Sequence, residues 1–208
     1  MDELTLEKFE EAAEIVKQVT LETKLVYSEY FSAQTGNRVY FKPENMQYTG
    51  AYKVRGAYYK ISTLSDEEKA RGLITASAGN HAQGVAYAAR LAGVKATVVM
   101  PTTTPLIKVN RTKGYGAQVV LEGDVFDEAC AHAYRLAEEH GYTFVHPFDD
   151  LDVAAGQGSI AMEIIKGAAY GGLHSGSHRR RRTLHRRIHP CKAVESQDQS
   201  HRSGAGRR

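Results

Sequence analysis

The fold of this chain is decided by TGAYKVRGA at residues 49–57 and SAGNHAQG at residues 77–84. The first segment places Lys53 two residues before Arg55, which opens an Arg-Gly-Ala sequence that is expected to begin a helix. The second follows an apolar run at 72–75 and leads into an alanine-rich helix predicted over 82–91. A loop that leads from a strand into a helix presents unpaired backbone N–H groups and the positive end of a helix dipole, which attract anions. The two segments therefore predict a candidate reactive lysine and an anion-binding loop on an α/β scaffold.

Elsewhere in the chain, apolar runs alternate with amphipathic stretches at short intervals. The predicted strands are 38–42, 72–75, 96–100, 118–121 and 143–146, and the predicted helices are 5–19 (capped by Thr5), 57–64, 82–91, 105–113, 125–140 and 159–166. Strand–helix–strand units at this spacing predict a parallel sheet covered by helices on both faces. The fold class predicted from the sequence is therefore α/β.

The 49–57 segment also follows a family pattern, Ser/Thr-Gly-Ser/Ala-Phe/Tyr-Lys-x-Arg-Gly-Ala. The chain thereby closely resembles the threonine dehydratases, which depend on pyridoxal phosphate. Similar segments follow in the expected order, VVMP at 98–101, YGA at 115–117, HPFD at 146–149 and AGQG at 155–158, so the resemblance runs from about residue 5 to Lys166. It implies the tryptophan-synthase-β-like fold, fold type II, in which the cofactor lies between two α/β domains.

The resemblance also implies where these domains begin and end. Residues 1–54 would form the N-terminal part of the large domain, residues 55–150 a complete small domain, and residues 151–166 the start of the segment that returns to the large domain. Most of the large domain would be missing from a chain of 208 residues.

The same resemblance assigns roles to individual residues. Lys53 would bond to the cofactor aldehyde and then remove the α-proton of the substrate, and burial near another cation would keep its amine reactive. Tyr52 would lie against the cofactor ring, and Gly50 would permit a close approach of the backbone. The side chain of Asn80 would bind the 3′-oxygen of the cofactor. The substrate carboxylate would bind to the loop of Ser77, Ala78, Gly79, Asn80 and His81.

Simpler interpretations of these residues stay open. Most lysines are solvated surface residues, and the full motif rather than Lys53 alone favours a catalytic role. Ser77 and Asn80 are also typical helix caps. His81 is expected to be a packing or hydrogen-bonding histidine, without a role as a proton shuttle.

The implied reaction is the loss of water and ammonia from L-threonine, and also from L-serine, to give 2-oxobutanoate or pyruvate. The serine racemases share most of these motifs and are the nearest alternative. They carry a serine where this chain has Ala78, and a methyl group cannot donate a proton to the opposite face of the substrate. The resemblance therefore favours a lyase with a small amino-acid substrate, and it implies a homo-oligomer.

The composition argues against a disulfide-rich, metal-binding, membrane or secreted protein. Cys130 and Cys191 are too few for a disulfide framework and lack metal-ligand spacing, which fits a reducing cytoplasm and predicts no metal site. No apolar run approaches the ~20 residues that span a bilayer, and no secretory signal is visible, so we expect neither a membrane partner nor secretion.

The C-terminal segment departs from the rest of the chain. Residues 167–208 carry a net charge of +8, against −5 for residues 1–166, and they lack apolar periodicity, so we expect them to be disordered. A basic tail of this kind can bind RNA non-specifically, and a non-enzymatic α/β module that uses it is a further alternative. We expect no specific nucleic-acid partner.

The genetic code offers another explanation of this tail. Codons permitted for residues 167–182, translated one nucleotide downstream, can encode a dehydratase-like segment that contains Gly-Gly-Gly-Gly-Leu. Our hypothesis is a shifted reading frame after Lys166, which removes the family's phosphate-binding glycine loop. We then expect the 208-residue chain to bind the cofactor weakly, to be inactive and to aggregate.

Overall fold

A computed structural model describes residues 4–171 of the chain. Its elements in chain order are α1 (Leu6–Val16), β1 (Val26–Tyr27), α2 (Glu29–Thr35), β2 (Tyr40–Phe41), a 3-10 turn (Glu44–Met46), α3 (Lys53–Thr63), α4 (Asp66–Arg71), β3 (Leu73–Ala76), α5 (Asn80–Leu91), β4 (Ala96–Met100), α6 (Leu106–Gly114), β5 (Gln118–Leu121), α7 (Phe126–His140), β6 (Thr143–Phe144) and α8 (Leu151–Gly171).

The central sheet has four parallel strands in the order β5-β4-β3-β6. Strands β3 and β4 are buried along their whole length, because successive side chains of a strand point to opposite faces and both faces are covered. One face packs against α3, α5 and α6, through Leu73, Val98, Met100, Ile61, Val85 and Val109. The other packs against α7, through Ile74, Ala76, Val99, Ala129 and Ala133. The predicted α/β class with a parallel sheet is confirmed.

A second, two-stranded sheet precedes this core. Strands β1 and β2 pair antiparallel, with Val26 opposite Phe41 and Tyr27 opposite Tyr40. The sequence predicted β2 within 38–42 but not its partner β1, which is only two residues long.

The sequence did not predict the short helices α2 and α4, and it predicted α8 too short. Helix α4 is six residues long and is held by a capping box between Ser65 and Glu68. Helix α8 begins at Leu151, well before the predicted start at 159. The Asp150 carboxylate caps it by accepting hydrogen bonds from the backbone N–H groups of Asp152 and Val153, at 2.8 and 3.0 Å.

Glycines in helix interiors explain why α8 was underestimated. Gly156 disfavours a helix by about 1 kcal/mol relative to alanine, but it lies where α8 crosses α3. A Cβ atom at Gly156 would come within 2.7 Å of the Arg55 carbonyl oxygen and of the Gly56 Cα. Packing of two glycines at the crossing therefore allows the two helices to approach closely.

The predicted domain boundary between residues 54 and 55 falls inside α3, and the division into large and small domains stays a prediction. The tail was expected to be disordered from residue 167, which is wrong for residues 167–171, because they continue helix α8. The rest of the tail lies outside the described part of the chain. None of the helices between residues 4 and 171 combines the length and the hydropathy needed to cross a lipid bilayer.

Candidate active site

The strand order creates a crevice at one edge of the sheet. From β3 the chain proceeds to β4 and β5 on one side, and then returns to β6 on the other side of β3. In open parallel sheets, ligands bind at such a switch point, outside the carboxyl ends of the strands. The loops that follow β3 and β6 are residues 77–79 and 145–150, so the predicted anion-binding loop lies at this switch point.

Lys53 reaches the same place from α3. It is the first residue of that helix and is half-buried. Its Nζ donates a hydrogen bond to the carbonyl oxygen of Pro147, 2.8 Å away, in the loop that follows β6. The ring of Tyr52, which is 40% exposed, has its centroid 5.4 Å from the same Nζ. The structure thus brings the predicted lysine and its aromatic neighbour to the carboxyl edge of the sheet.

The loop after β3 is held by a turn at Ser77 and not by a side-chain cap of α5. The Ser77 hydroxyl accepts a hydrogen bond from the N–H of Gly79, at 3.2 Å. Gly79 is the N-cap of α5 and provides no side-chain hydrogen bond. The interpretation of Ser77 and Asn80 as caps of α5 is therefore wrong. The N-terminus of α5 is left without a side-chain acceptor, as an anion site requires.

The other residues of this loop border open space. A Cβ atom at Gly79 would meet no heavy atom within 4 Å. Ala78 is half-buried, and Asn80 is exposed on the first turn of α5. The assigned contacts of Ser77, Ala78, Gly79 and Asn80 with ligands remain predictions.

His81 is buried, with 3% of its surface exposed. Its Nε2 lies 3.0 Å from the carbonyl oxygen of Val145. Burial lowers the pKa of His81 to about 4. Electrostatic interactions with Lys53 and His146 act in the same direction, while the hydrogen bond to Val145 opposes the shift. The side chain is therefore neutral at physiological pH, which supports the expectation that it is not a proton shuttle.

A buried ion cluster anchors α3 two residues beyond Lys53. The Arg55 guanidinium is fully buried and pairs with Glu44 at 2.8 Å and with Glu163 at 2.6 Å. Lys42 also pairs with Glu163, and Ser159 accepts a hydrogen bond from Arg55 at 3.1 Å. Burial alone would lower the pKa of Arg55, but the hydrogen bonds to the two carboxylates raise it above its usual value.

Sequence reasoning missed this cluster because its acids are distant in the chain. Arg55 was interpreted only as part of the helix start that follows Lys53. The available signal was an arginine among the apolar and small residues Val54, Gly56 and Ala57 at the helix start, since arginine is rarely buried without a partner.

Gly50 makes no close approach to another part of the described chain. Its backbone has φ +75°, and a Cβ atom there would meet no protein atom within 4 Å. Glycine is thus required for a left-handed backbone conformation, and its close approach to the cofactor stays a prediction. The close approach near Lys53 is made by Gly84 instead, where a Cβ atom would lie 2.9 Å from the Lys53 carbonyl carbon.

Known proteins identify the family to which this arrangement belongs. The sequence model of the family described as "Pyridoxal-phosphate dependent enzyme" matches residues 16–181. The chain belongs to this family. The match extends past Lys166, where the resemblance was expected to stop, and it covers most of the chain.

Individual relatives give the same result. The chain is 53% identical to the L-threonine ammonia-lyase of Thermotoga maritima over 163 residues, which are 78% of this chain and 41% of that protein. It therefore spans less than half the length of this relative. Among solved structures, the processed form of threonine deaminase isoform 2 from Solanum lycopersicum is similar with a TM-score of 0.73 and 42% identity, covering 78% of this chain and 46% of that one. The serine racemase of Dictyostelium discoideum has a TM-score of 0.74 and 36% identity, covering 78% and 53% of the two chains.

These similarities confirm the resemblance to threonine dehydratases and the fold type. They also establish pyridoxal phosphate as the cofactor of the family. The residues at the switch point fit this cofactor, because Lys53 supplies a primary amine for its aldehyde and the loop at Gly79 borders open space. The N-terminus of α5 suits the carboxylate of an amino-acid substrate.

Proposed function

We propose that this site serves the pyridoxal-phosphate-dependent deamination of L-threonine, and also of L-serine, to 2-oxobutanoate or pyruvate and ammonia. The observation that carries the proposal is the position of the Lys53 amine, 2.8 Å from the Pro147 carbonyl oxygen, at the sheet edge where an uncapped helix begins. The family match and the identity to an L-threonine ammonia-lyase support it.

Each residue then has a limited task. Lys53 would hold the cofactor through its amine and, once released from that bond, would take the α-proton of the substrate. The bound cofactor supplies the electron withdrawal that makes this proton acidic. The N–H groups of the loop at Ser77–His81 would hold the substrate carboxylate, and the side chain of Asn80 would bind the 3′-oxygen of the cofactor. The ring of Tyr52 would lie against the cofactor ring.

A lyase is favoured over a racemase by one residue of the loop. Inversion at the α-carbon needs a proton donor on the face opposite Lys53. Ala78, which is half-buried in the loop, has no ionisable or hydroxyl group. Incubation with L-serine distinguishes the two reactions, since a lyase forms pyruvate and a racemase forms D-serine.

We further propose that the protein acts in the cytoplasm and assembles from identical chains. Support for assembly comes from an exposed aromatic surface on β1, α2 and β2, because apolar patches of this kind are typical of interfaces. Its rings pack edge to face, with centroids 5.3 Å apart between Tyr27 and Tyr40 and 5.5 Å apart between Phe31 and Phe41. All four side chains are at least 41% exposed.

The decisive experiment tests cofactor bonding directly. The 208-residue chain is incubated with excess pyridoxal phosphate, reduced with borohydride and mapped by peptide mass spectrometry. Because reduction is covalent, it detects even weak binding. We expect modification at Lys53 in preference to the other eleven lysines, and loss of this preference in Lys53→Arg. Uniform modification of all lysines would contradict the proposal.

The release of 2-oxobutanoate from L-threonine is measured on the same preparation. Its formation would establish the reaction and would refute the expectation that this chain is inactive. Modification at Lys53 without turnover would support the site and the expected loss of activity.

A further inference from the structure

His81 has a fixed tautomer. Its Nε2 lies 3.0 Å from the carbonyl oxygen of Val145. A carbonyl oxygen can only accept, so Nε2 carries the hydrogen and donates it. The imidazole is neutral, and Nδ1 therefore has a lone pair and no hydrogen. Within residues 4–171, no hydrogen-bond partner of this buried Nδ1 is present.

The bond from His81 connects the two loops of the switch point. His81 is the second residue of α5, directly after the predicted carboxylate loop. Its acceptor Val145 directly follows β6 and precedes His146 and Pro147. The carbonyl oxygen of Pro147 accepts the hydrogen bond from Lys53 at 2.8 Å. A single short segment, residues 145–147, thus bonds both to the helix of the loop and to the lysine amine.

The surroundings of His81 keep this bond in one state. The titratable groups that act on the imidazole are Lys53, on α3, and His146, beyond β6, and a positive charge on either opposes protonation of His81. The ring is 3% exposed, so water does not compete for Nε2–H. A buried hydrogen bond between neutral groups is directional, and it fixes the separation of the segments that it joins.

We propose that His81 is a positioning residue, which sets the distance between the carboxylate loop and the Lys53 amine through its Nε2–H bond to Val145. The inference rests on the proposed function.

Three variants separate positioning from packing. Glutamine places an amide N–H close to the position of Nε2, asparagine is too short to reach Val145, and phenylalanine fills the volume without a hydrogen bond. Each is modified with pyridoxal phosphate and borohydride, and the modification at Lys53 is measured. Lys42 is the internal control for folding, because its side chain is 9% exposed and paired with Glu163.

We expect His81→Asn and His81→Phe to lower modification at Lys53 about tenfold, as for the loss of one buried hydrogen bond, with Lys42 still protected. His81→Gln is expected to retain wild-type modification. Equal modification in the phenylalanine and glutamine variants would overturn the proposal in favour of packing. If pyridoxal phosphate and borohydride modify Lys42 in a variant, that variant has unfolded and cannot report on positioning. The proposal is then tested by the tautomer of His81 in the wild-type protein.

That tautomer is measured without any cofactor, by the long-range ¹⁵N–¹H NMR couplings of the imidazole. The expected result is Nε2–H with no titration between pH 5.5 and 8.5, a range that lies above the pKa of about 4. The Nδ1–H tautomer, or a charged ring within this range, would overturn the positioning role. Wild-type modification that shows no preference for Lys53 would instead count against the proposed function alone.

Discussion

Gly84 packs directly against the backbone of Lys53. A Cβ atom at Gly84 would lie 2.9 Å from the Lys53 carbonyl carbon and 3.0 Å from the nitrogen of Val54. Both contacts are with backbone, which cannot rotate away as a side chain would. The close approach of α5 to the first turn of α3 therefore depends on the absence of a side chain at residue 84.

Gly84→Ala tests this contact. The added methyl group must displace α3 or α5, and overpacking of this kind costs about 1–3 kcal/mol. We expect that loss in the free energy of unfolding in urea, together with reduced modification of Lys53 by pyridoxal phosphate and borohydride. The matched control is Gly114→Ala at the end of α6, where a Cβ atom meets nothing within 4 Å. A Gly84→Ala protein as stable as this control would contradict the packing.

Arg55→Met is expected to be among the most destabilising single substitutions in the chain. It leaves the carboxylates of Glu44 and Glu163 partly buried without their main partner, and breaking a buried pair costs about 3–5 kcal/mol. Urea unfolding measures the loss. Glu14→Gln, which breaks the exposed pair with Lys17, is the control and should cause no measurable change. An Arg55→Met loss no larger than that of Glu14→Gln would show that the cluster does not stabilise the fold.

The buried state of His81 predicts a loss of stability in acid. Its pKa is about 4 in the folded chain, below the ordinary value of 6.5. As the pH falls below 6.5, His81 takes up a proton in the unfolded chain before it does so in the folded chain. The contribution of neutral His81 to the free energy of unfolding is therefore complete above pH 6.5 and is lost progressively toward pH 4. The difference corresponds to roughly 3 kcal/mol. The measurement is the free energy of unfolding against pH for wild type and His81→Gln. Parallel curves between pH 4 and 6.5 would show that His81 is not buried in neutral form.

Gly50 tests backbone conformation without any change in packing. Its φ of +75° costs a residue with a side chain about 1–2 kcal/mol, whereas asparagine tolerates this region better. Thermal unfolding should therefore show a larger loss for Gly50→Ala than for Gly50→Asn. Equal stability of Gly50→Ala and the wild type would indicate that the turn relaxes.

The core of the sheet was predictable because local signals agree there. Strands β4 and β5 have the bounds predicted from sequence, 96–100 and 118–121, since each is a β-branched apolar run with clear ends. The loop at Ser77 was correctly predicted between a strand and a helix for the same reason: β3, the loop and α5 follow one another within a few residues.

The remaining features depend on contacts distant in sequence. The 151–158 part of α8 contains Gly156 and Gly158, whose low helix propensity is offset by packing against α3 and α1. The acids that pair with Arg55 lie at residues 44 and 163, on opposite sides of it in the chain. No local sequence pattern indicates that these two acids pair with Arg55. The tautomer of His81 likewise could not be predicted, because it depends on the distant carbonyl group of Val145.

The crossing of α3 and α8 also determines when the site can form. Gly56 and Gly156 are a hundred residues apart in sequence, and contacts of such long range form late because loop closure must precede them. At about 5–20 residues per second, a ribosome needs about 5–20 s to make the intervening chain. During that interval a nascent chain exposes Lys53 and the apolar face of its helix without the surface that covers them. This protein is therefore expected to depend on chaperones during its synthesis more than a chain of its size with local contacts.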